Sequence, residues 1–528
     1  MKKILIGFLF LISAKSFAQL SGDLQLNTQF FQRDTAIKAS NTPLYDNLFS
    51  GADSWLKVDY SIKGFNAGVR LDMFQNSNLH NPSQAFSGQG LGIFYLQKDI
   101  DKLNVTGGYF YEQFGSGVAF RAYEDRGLGI DYAMFGIRLK YKLNDHWLIK
   151  AVTGRQKNLF DLYRPIIKGV NIEGNVNLDK KNNLINVIPG GSFVNRTLDY
   201  QSMDLVVATI NSYPTELQFV PKYNVCVYSL YNTFNFHDFT WYVEGDYKTN
   251  EAILGASDRL ENHDGHFYYS SLAYNNAKAK FGITLQAKRT ENFVFRTSPN
   301  ESLLQGVLNY IPPISKQNAL RLLARYTPAT QYLGEFGYQG DIVWTPKKGY
   351  TLSLNYSNIT DLDNSPLYFE INGALELNKS KKIKSEIGLQ TVHYNFYVYR
   401  KEASPTVKTL TPFGEVTWKI NKKKSLRLEA QYLMTKEDYG TWIFGLLEYN
   451  IAPKFSFAVS DMYNSEPNPD NANAKKLHYP NAFVAYTGGP NRFTFAYVKQ
   501  VDGVNCTGGV CRYEPAFSGF KFTVTTSF

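Results

Sequence analysis

Polar and apolar residues take turns along most of this chain. In Gly64–Phe74, Phe65, Ala67, Val69, Leu71 and Met73 share one face of an extended strand, opposite Asn66, Arg70 and Asp72. In Gly349–Asn358, Tyr350, Leu352, Leu354 and Tyr356 oppose Thr351, Ser353, Asn355 and Ser357. Leu367, Phe369, Ile371, Leu375 and Leu377 likewise oppose Tyr368, Glu370, Asn372 and Glu376. Successive side chains of a strand point to opposite faces, so each run predicts a strand that is dry on one side and wet on the other. The chain ends on such a run. Phe520, Phe522, Val524 and Phe528 lie on one side, and Lys521, Thr523, Thr525 and Ser527 on the other. A single amphipathic strand could edge a soluble sandwich. A long series of them, each roughly ten residues long and with no helical pattern between, matches a wall with lipid outside and water within.

Turn-forming residues cut the runs apart, and the connectors fall into two classes. Short ones include Lys63-Gly64, Asn144-Asp145, Asn275-Asn276, Pro346–Gly349, Asn378–Lys382, Asn421–Lys424 and Gly488–Asn491. Long ones centre on 34–52, 75–89, 113–131, 250–263, 292–301, 464–480 and 502–514. The two kinds largely alternate. That asymmetry predicts an all-β fold: a single large antiparallel transmembrane β-barrel of about 24–26 strands, with short periplasmic turns and long extracellular loops. The higher count holds if 169–178 and 200–209 both belong to the wall, the lower if that pair is an insert.

Targeting agrees with this. Met1-Lys2-Lys3 is basic, Ile4–Ile12 is apolar apart from Gly7, and Ser16-Phe17-Ala18 precedes a cut after Ala18. The pattern is a signal peptide over 1–18, too short to span a bilayer, which leaves 19–528 to the barrel. No cysteine follows the cut, which argues against a lipid anchor, and the first strand begins too soon for a separate N-terminal plug domain. A mean hydropathy of -0.31 is compatible with a barrel, because only alternate residues meet lipid. The aromatic share is 15%. Trp147, Trp241, Trp344 and Trp418 lie near short turns, and Trp55 and Trp442 beside long loops. With Phe528 they predict aromatic belts at the membrane surfaces. The net charge of +10, part of which leaves with the signal peptide, suits outer-membrane lipids and lipopolysaccharide; no basic block points to nucleic acid. Cys506 and Cys511 flank Gly508-Gly509, a spacing that allows a disulfide in an oxidising compartment, while Cys226 reads as a small wall residue.

Candidate chemistry concentrates between Tyr111 and Tyr132, where several glycines accompany Glu112, Arg121, Glu124, Asp125, Arg126 and Asp131. Either this loop folds into the lumen and constricts it or grips a ligand, or its charges pair among themselves and with the wall. The glycines neither follow a buried strand nor open a helix, so they do not read as a phosphate loop. Arg70, Asp72, Glu370, Glu376, Glu415, Lys419, Arg427 and Glu429 are expected on the lumen wall, where they could set a field for polar solutes or line a wetted interior. No cofactor or metal is expected: Glu261–His266 resembles a metal cluster only in outline and falls in a predicted outer loop. Gly-x-Ser-x-Gly is absent, and His393 has no assignable nucleophile partner.

The Tyr111–Tyr132 run, with Tyr111–Gly117, Arg121, Tyr123–Asp125 and Leu128–Asp131, resembles a family of uncharacterised outer-membrane barrel proteins from Bacteroidota. Tyr310–Pro313, Ala319–Leu322 and Gly334–Gln339 resemble it also. The resemblance implies location and fold, not an activity. Asp34-Thr35-Ala36 fits the short O-glycosylation pattern of that phylum.

The expectation is therefore a non-enzymatic barrel: a membrane-embedded subunit of an assembly, secretion or surface-export complex with other envelope proteins as partners. The alternatives are a stand-alone porin-like channel for polar solutes and, less in keeping with the sequence, a lipid-modifying enzyme. A barrel so wide needs a filled lumen. Either long stretches such as 156–199 fold inward, or a partner fills it.

Overall fold

The computed structural model describes residues 19–528 apart from 83, 180–183, 379 and 402–404, so the expected signal peptide lies outside the described residues. A 24-strand antiparallel sheet closes on itself. Two short ribbons, Asp161–Leu162 and Val176–Asn177, join its margin from connectors without adding to the wall. Strand Gln19–Phe31 pairs with Ser50–Ile62 on one side and with Phe517–Ser527 on the other, Asp23 opposite Ser527 and Phe31 opposite Gly519. Phe528 and Gly22 exchange backbone hydrogen bonds of 2.8 and 3.0 Å at the end of this seam. Closure leaves no row of unpaired peptide groups in the hydrocarbon, where each would cost several kcal/mol.

The two faces follow the sequence parity. In strand Phe65–Ser77, Leu71 and Met73 are each 50% exposed on the outside, whereas Arg70 and Asp72 are 2% exposed within. Phe520, on the outer face of the closing strand, is exposed, and Lys521 points inward. Connectors alternate around the whole barrel. On one rim lie tight turns such as 63–64, 101–102, 237–238, 348–349 and 489–490; on the other lie 32–49, 111–133, 198–223, 292–333, 395–406 and 501–516. At Lys63-Gly64 both residues take positive φ (47° and 75°), the backbone that a two-residue hairpin turn demands.

Several expectations are corrected. Residues 200–209 are not a strand: Tyr200–Asn211 is an α-helix, capped by Asp199 accepting from Gln201 N and Ser202 N. It buries Met203, Val206 and Ile210, a helical spacing. Residues 169–178 do contribute to the wall, through Ile166–Gly174, so the count of 24 arises without the supposed insert. The stretch 156–199 does not fill the lumen; it is mostly the wall strands Trp147–Asn158, Ile166–Gly174 and Ile185–Thr197. Residues 250–263 are mainly strand, turning only at 255–259. The loop expected at 292–301 extends through 333, and it is this connector, together with 111–133, that folds inside.

Both inner segments carry buried apolar residues. Phe114, Val118 and Phe120 pack with Phe293, Phe295, Leu308 and Ile311 against wall residues such as Val152, Ile167, Val225 and Phe267. Further round, Ile314, Leu322 and Tyr326 join Phe31, Tyr368, Trp442 and Phe517. The barrel thus has a packed plug built from its own connectors, in the half towards the long loops.

Candidate functional site

Arg70 is the centre of the plug's attachment. Its guanidinium donates side-on to Asp72 (2.6 and 2.8 Å), to Glu124 Oε1 (2.6 Å) and to Asp131 Oδ2 (2.7 Å). Lys157 Nζ adds a bond of 2.6 Å to Asp131 and lies 3.6 Å from Asp72. One wall cation of Phe65–Ser77, Arg70 held by Asp72, and one of Trp147–Asn158, Lys157, therefore bind two carboxylates of the first inner segment, with every charge paired, as burial requires. Burial raises Asp131's affinity for a proton, but Lys157 and Arg70 outweigh it and hold this carboxyl below its usual range. Tyr111, which donates to Asp131 at 2.8 Å, is pushed well above the usual phenol range by burial and that neighbouring charge.

The other charges of this segment are placed as follows. Arg126 lies 3.2 Å from Glu124, donates to Gln25 at 3.0 Å and covers the ring of Trp55 at 5.1 Å. Glu112 meets Lys140 at 2.8 Å and Lys150 at 3.8 Å. Asp125 accepts from Leu128 N, turning the Glu124–Asp131 ribbon. Arg121 is clasped between the rings of Tyr123 and Tyr310, each at 4.2 Å. Tyr310 N donates to Gly117 O and Arg121 N to Leu308 O, both at 2.9 Å, so the two stretches that carry the family resemblance bind each other.

The second inner segment has few backbone partners of its own, and wall side chains supply them. Lys248 donates to Val294 O (2.8 Å), Arg196 to Arg296 O (3.2 Å), Gln156 to Val307 O (2.6 Å), Lys288 to Pro312 O (2.7 Å) and Gln390 to Leu323 O (3.2 Å). Glu251 and Glu335 neutralise Lys248 and Lys288, each at 2.6 Å. Irregular backbone taken out of water must find such partners. Glu370 belongs to this set, accepting from Tyr368, Gln390 and, in the plug, Asn318. The sequence reading missed Lys157, Arg196, Lys248 and Lys288. Their one signal was polar parity in the half-strand nearest a long loop.

Towards the turns the lumen changes character. Glu376, Glu386, Glu415 and Glu429 stand directly opposite one another across four neighbouring strands. Arg427 answers them, bonding Glu415 at 2.8 Å, Glu429, and Glu448 at 3.4 Å. Lys419 is exposed at the turn-side end and makes no ion pair among the described residues. Like charges set opposite destabilise a sheet, so this row costs stability.

A cavity of about 580 Å³ lies between the first inner segment and the 78–85 connector. Trp55, Tyr132, Glu124, Arg126, Lys157 and Arg512 line it. His80 lines it too. Burial, then Lys157 and Arg512, push His80 down to about 4. The Cys506–Cys511 disulfide is formed and closes the hairpin Gly503–Glu514, whose Gly508 O accepts from Tyr310 OH of the plug at 2.9 Å.

Other predicted sites separate. Trp241, Trp344 and Trp418 lie half-exposed on the outer face near the turns, and Phe528 is exposed at the seam. Trp147, also on the outer face, packs over Gly174. Trp55 and Trp442, however, are buried inside, and do not join a belt. Trp55 shares its face with Asp53 and Lys57, and Trp442 with Glu448, so parity turned both inward; Trp442 stacks under Arg325 at 4.9 Å. His263 and His266 lie three positions apart on one strand, facing opposite sides, and pair with Glu261 and Asp264 instead of each other. That strand position corrects the predicted outer loop. No metal-holding group occurs among the described residues. His393 points outward against Phe369, ring centroids 5.3 Å apart. Thr35 is exposed on a short helix capped by Asp34.

Closed wall, lipid-facing belt, wet interior and inward-folded loops define an outer-membrane β-barrel with an internal plug. The chain belongs to a family of unknown function, DUF6029, whose model matches residues 1–528. No curated protein matches it in sequence. Among solved structures it is similar to the siderophore receptor PirA from Pseudomonas aeruginosa, at 8% identity and a TM-score of 0.43, covering 98% of this chain and 81% of that one. The ferric enterobactin receptor from Pseudomonas aeruginosa gives 10% and 0.45, covering 98% and 82%. The translocation pore of the P pilus usher PapC gives 9% and 0.41, covering 96% and 99%.

Proposed function

We propose that this barrel is a membrane-embedded subunit of an outer-membrane assembly, secretion or surface-export complex, in contact with other envelope proteins and without catalytic chemistry of its own. The observation that carries this reading is the plug. Its carbonyls are bound by buried, charge-paired wall side chains, an arrangement that resists opening and suits a scaffold more than a free-running pore. Partners would approach the surface formed by 198–223, 395–401 and the disulfide hairpin. A second reading, a gated channel for polar solutes, is favoured by the glutamate row beneath the plug, which would draw cations into the turn-side lumen.

Two measurements separate them. Purified protein in planar bilayers should be silent, and a mild-detergent pull-down from native membranes should return stoichiometric envelope proteins. Steady open-channel currents from a barrel that purifies alone would replace the first reading by the second.

A further inference from the structure

On the outer face near the long-loop rim, charged residues of several sectors come in pairs: Arg289 with Glu291 at 2.7 Å, His266 with Asp264 at 3.4 Å, His478 with Asp461 at 2.5 Å. Strands Trp147–Asn158 and Ile166–Gly174 differ. Arg155, Arg164 and Lys168 are all exposed, and among the described residues none of them makes an ion pair. Parity sets Arg155 and Lys168 outside, since Val152, Gln156 and Ile167 are buried within while Ile166 and Val170 are exposed. Lys168 stands opposite Thr153, which makes Arg155 its diagonal neighbour on the same face. Arg155 Nε donates to Arg164 O at 3.0 Å, drawing the Arg155 fork to the connector that carries Arg164. One carboxylate shares that connector: Asp161, exposed, accepts from its neighbour Leu162 N at 2.8 Å. Three cations against one carboxylate leave this sector positive.

The register sets the height of the cluster. Val170 is opposite Phe193, Phe193 opposite Tyr228 and Tyr228 opposite Tyr247, an outward rung of exposed side chains. Neighbouring rings in it lie 5.3 and 6.5 Å apart between centroids. Aromatic rows of this kind sit where hydrocarbon meets headgroups. The next rung towards the loops is Thr153, Lys168, Asn195 and Cys226, with no large apolar side chain. Arg155 and Arg164 come after it. The cations therefore stand at headgroup level, directly above lipid-facing Val170 and Ile172.

We propose that Arg155, Arg164 and Lys168 form a binding site for the phosphorylated headgroup of a lipid in the leaflet on the loop side. Arginine forks suit two oxygens of one phosphate, and the lysine adds a mobile point charge beside them. The occupant is a lipid and not a free phosphate because its chains cover the apolar strip under the cations while its headgroup meets their charge. Both gains come from one molecule only if it carries both parts. The site stands apart from the choice between scaffold and channel.

The test is native mass spectrometry of the full-length barrel, freed of lipid in detergent and titrated with the diphosphorylated lipid anchor of lipopolysaccharide. Zwitterionic phosphatidylethanolamine is the control. A saturable adduct is expected with the diphosphorylated lipid, weakening as salt is added, and no comparable adduct with the control. Replacing all three cations by glutamine should lower the affinity by about tenfold or more, with the Arg155→Lys, Arg164→Lys pair retaining part of it. Lys408→Gln, which removes an exposed cation opposite His393 in another sector of the outer face, should leave it unchanged. Inorganic pyrophosphate in excess, at matched ionic strength, should not displace the lipid. Heat-modifiable gel migration certifies that each variant is folded; should the triple variant not fold, Lys168→Gln carries the test with the same expected direction. Equal binding of the two lipids, wild-type affinity in a folded triple variant, an equal loss in Lys408→Gln, or displacement by pyrophosphate would overturn the proposal.

Discussion

Three carboxylates, Asp72, Glu124 and Asp131, converge on the Arg70 guanidinium, with Lys157 alongside. Removing the arginine leaves buried negative charges facing one another. Arg70→Ala should therefore destabilise the inner loop by about 3–5 kcal/mol, the range for breaking a buried ion pair from one side. Limited proteolysis within 111–133 should become rapid in the variant and stay slow in the wild type; equal rates would show that the plug is held elsewhere. His80 carries the pH dependence. Folded, it titrates at about 4, whereas an unfolded histidine does so near 6.5. Between these values the unfolded state binds more protons, so His80's contribution is complete above about 6.5 and lost as pH falls towards 4. Protection of the amides around His80, after correction for the intrinsic pH dependence of exchange, should fall from pH 7 to 5, and His80→Phe should abolish that fall.

The second inner segment shows how an element with almost no ladder of its own survives inside a protein. Lys288 holds the Pro312 carbonyl and is neutralised by Glu335. Lys288→Met strips one partner from each, and should cost about 3–5 kcal/mol, read as faster exchange across 292–333. Pairing it with Glu335→Gln should recover part of the loss, because the stranded carboxylate is then gone; an additive double variant would refute the coupling. This element also shows where the sequence misleads. Phe293, Phe295, Leu308 and Ile311 have the composition of a wall strand, yet pack against the other inner loop and the inside of the wall instead of lipid. Helix Tyr200–Asn211 was similarly hidden, since its apolar residues also fit a short strand until the spacing of Met203, Val206 and Ile210 is weighed.

For the whole molecule, wall and plug are separable. Strands Phe281–Glu291 and Gly334–Lys347 pair along their length, Glu291 opposite Gly334, so a short linker can join them without the segment between. Replacing 296–328 with a Gly/Ser linker should leave a barrel that still shows heat-modifiable migration in outer-membrane fractions. In planar bilayers it should conduct strongly and prefer cations, because Glu376, Glu386, Glu415 and Glu429 then line an open path. A variant as silent as the wild type would mean that other connectors seal the lumen.

Alternation by itself determined the closed wall, its two rims and the lumen side of Arg70, Asp72 and Glu370, because a membrane-spanning strand can satisfy lipid and water only by period-two patterning. It also held the answer for Trp55 and Trp442, whose polar-face parity outweighs their nearness to a loop. Tertiary structure alone decided which connectors turn inward and what meets there. Contacts such as Arg70 with Asp131, or Tyr310 with Gly117, join residues far apart in sequence. They exist because an enclosed loop must neutralise its charges and bond its carbonyls against whichever wall it reaches, and no local pattern records that meeting.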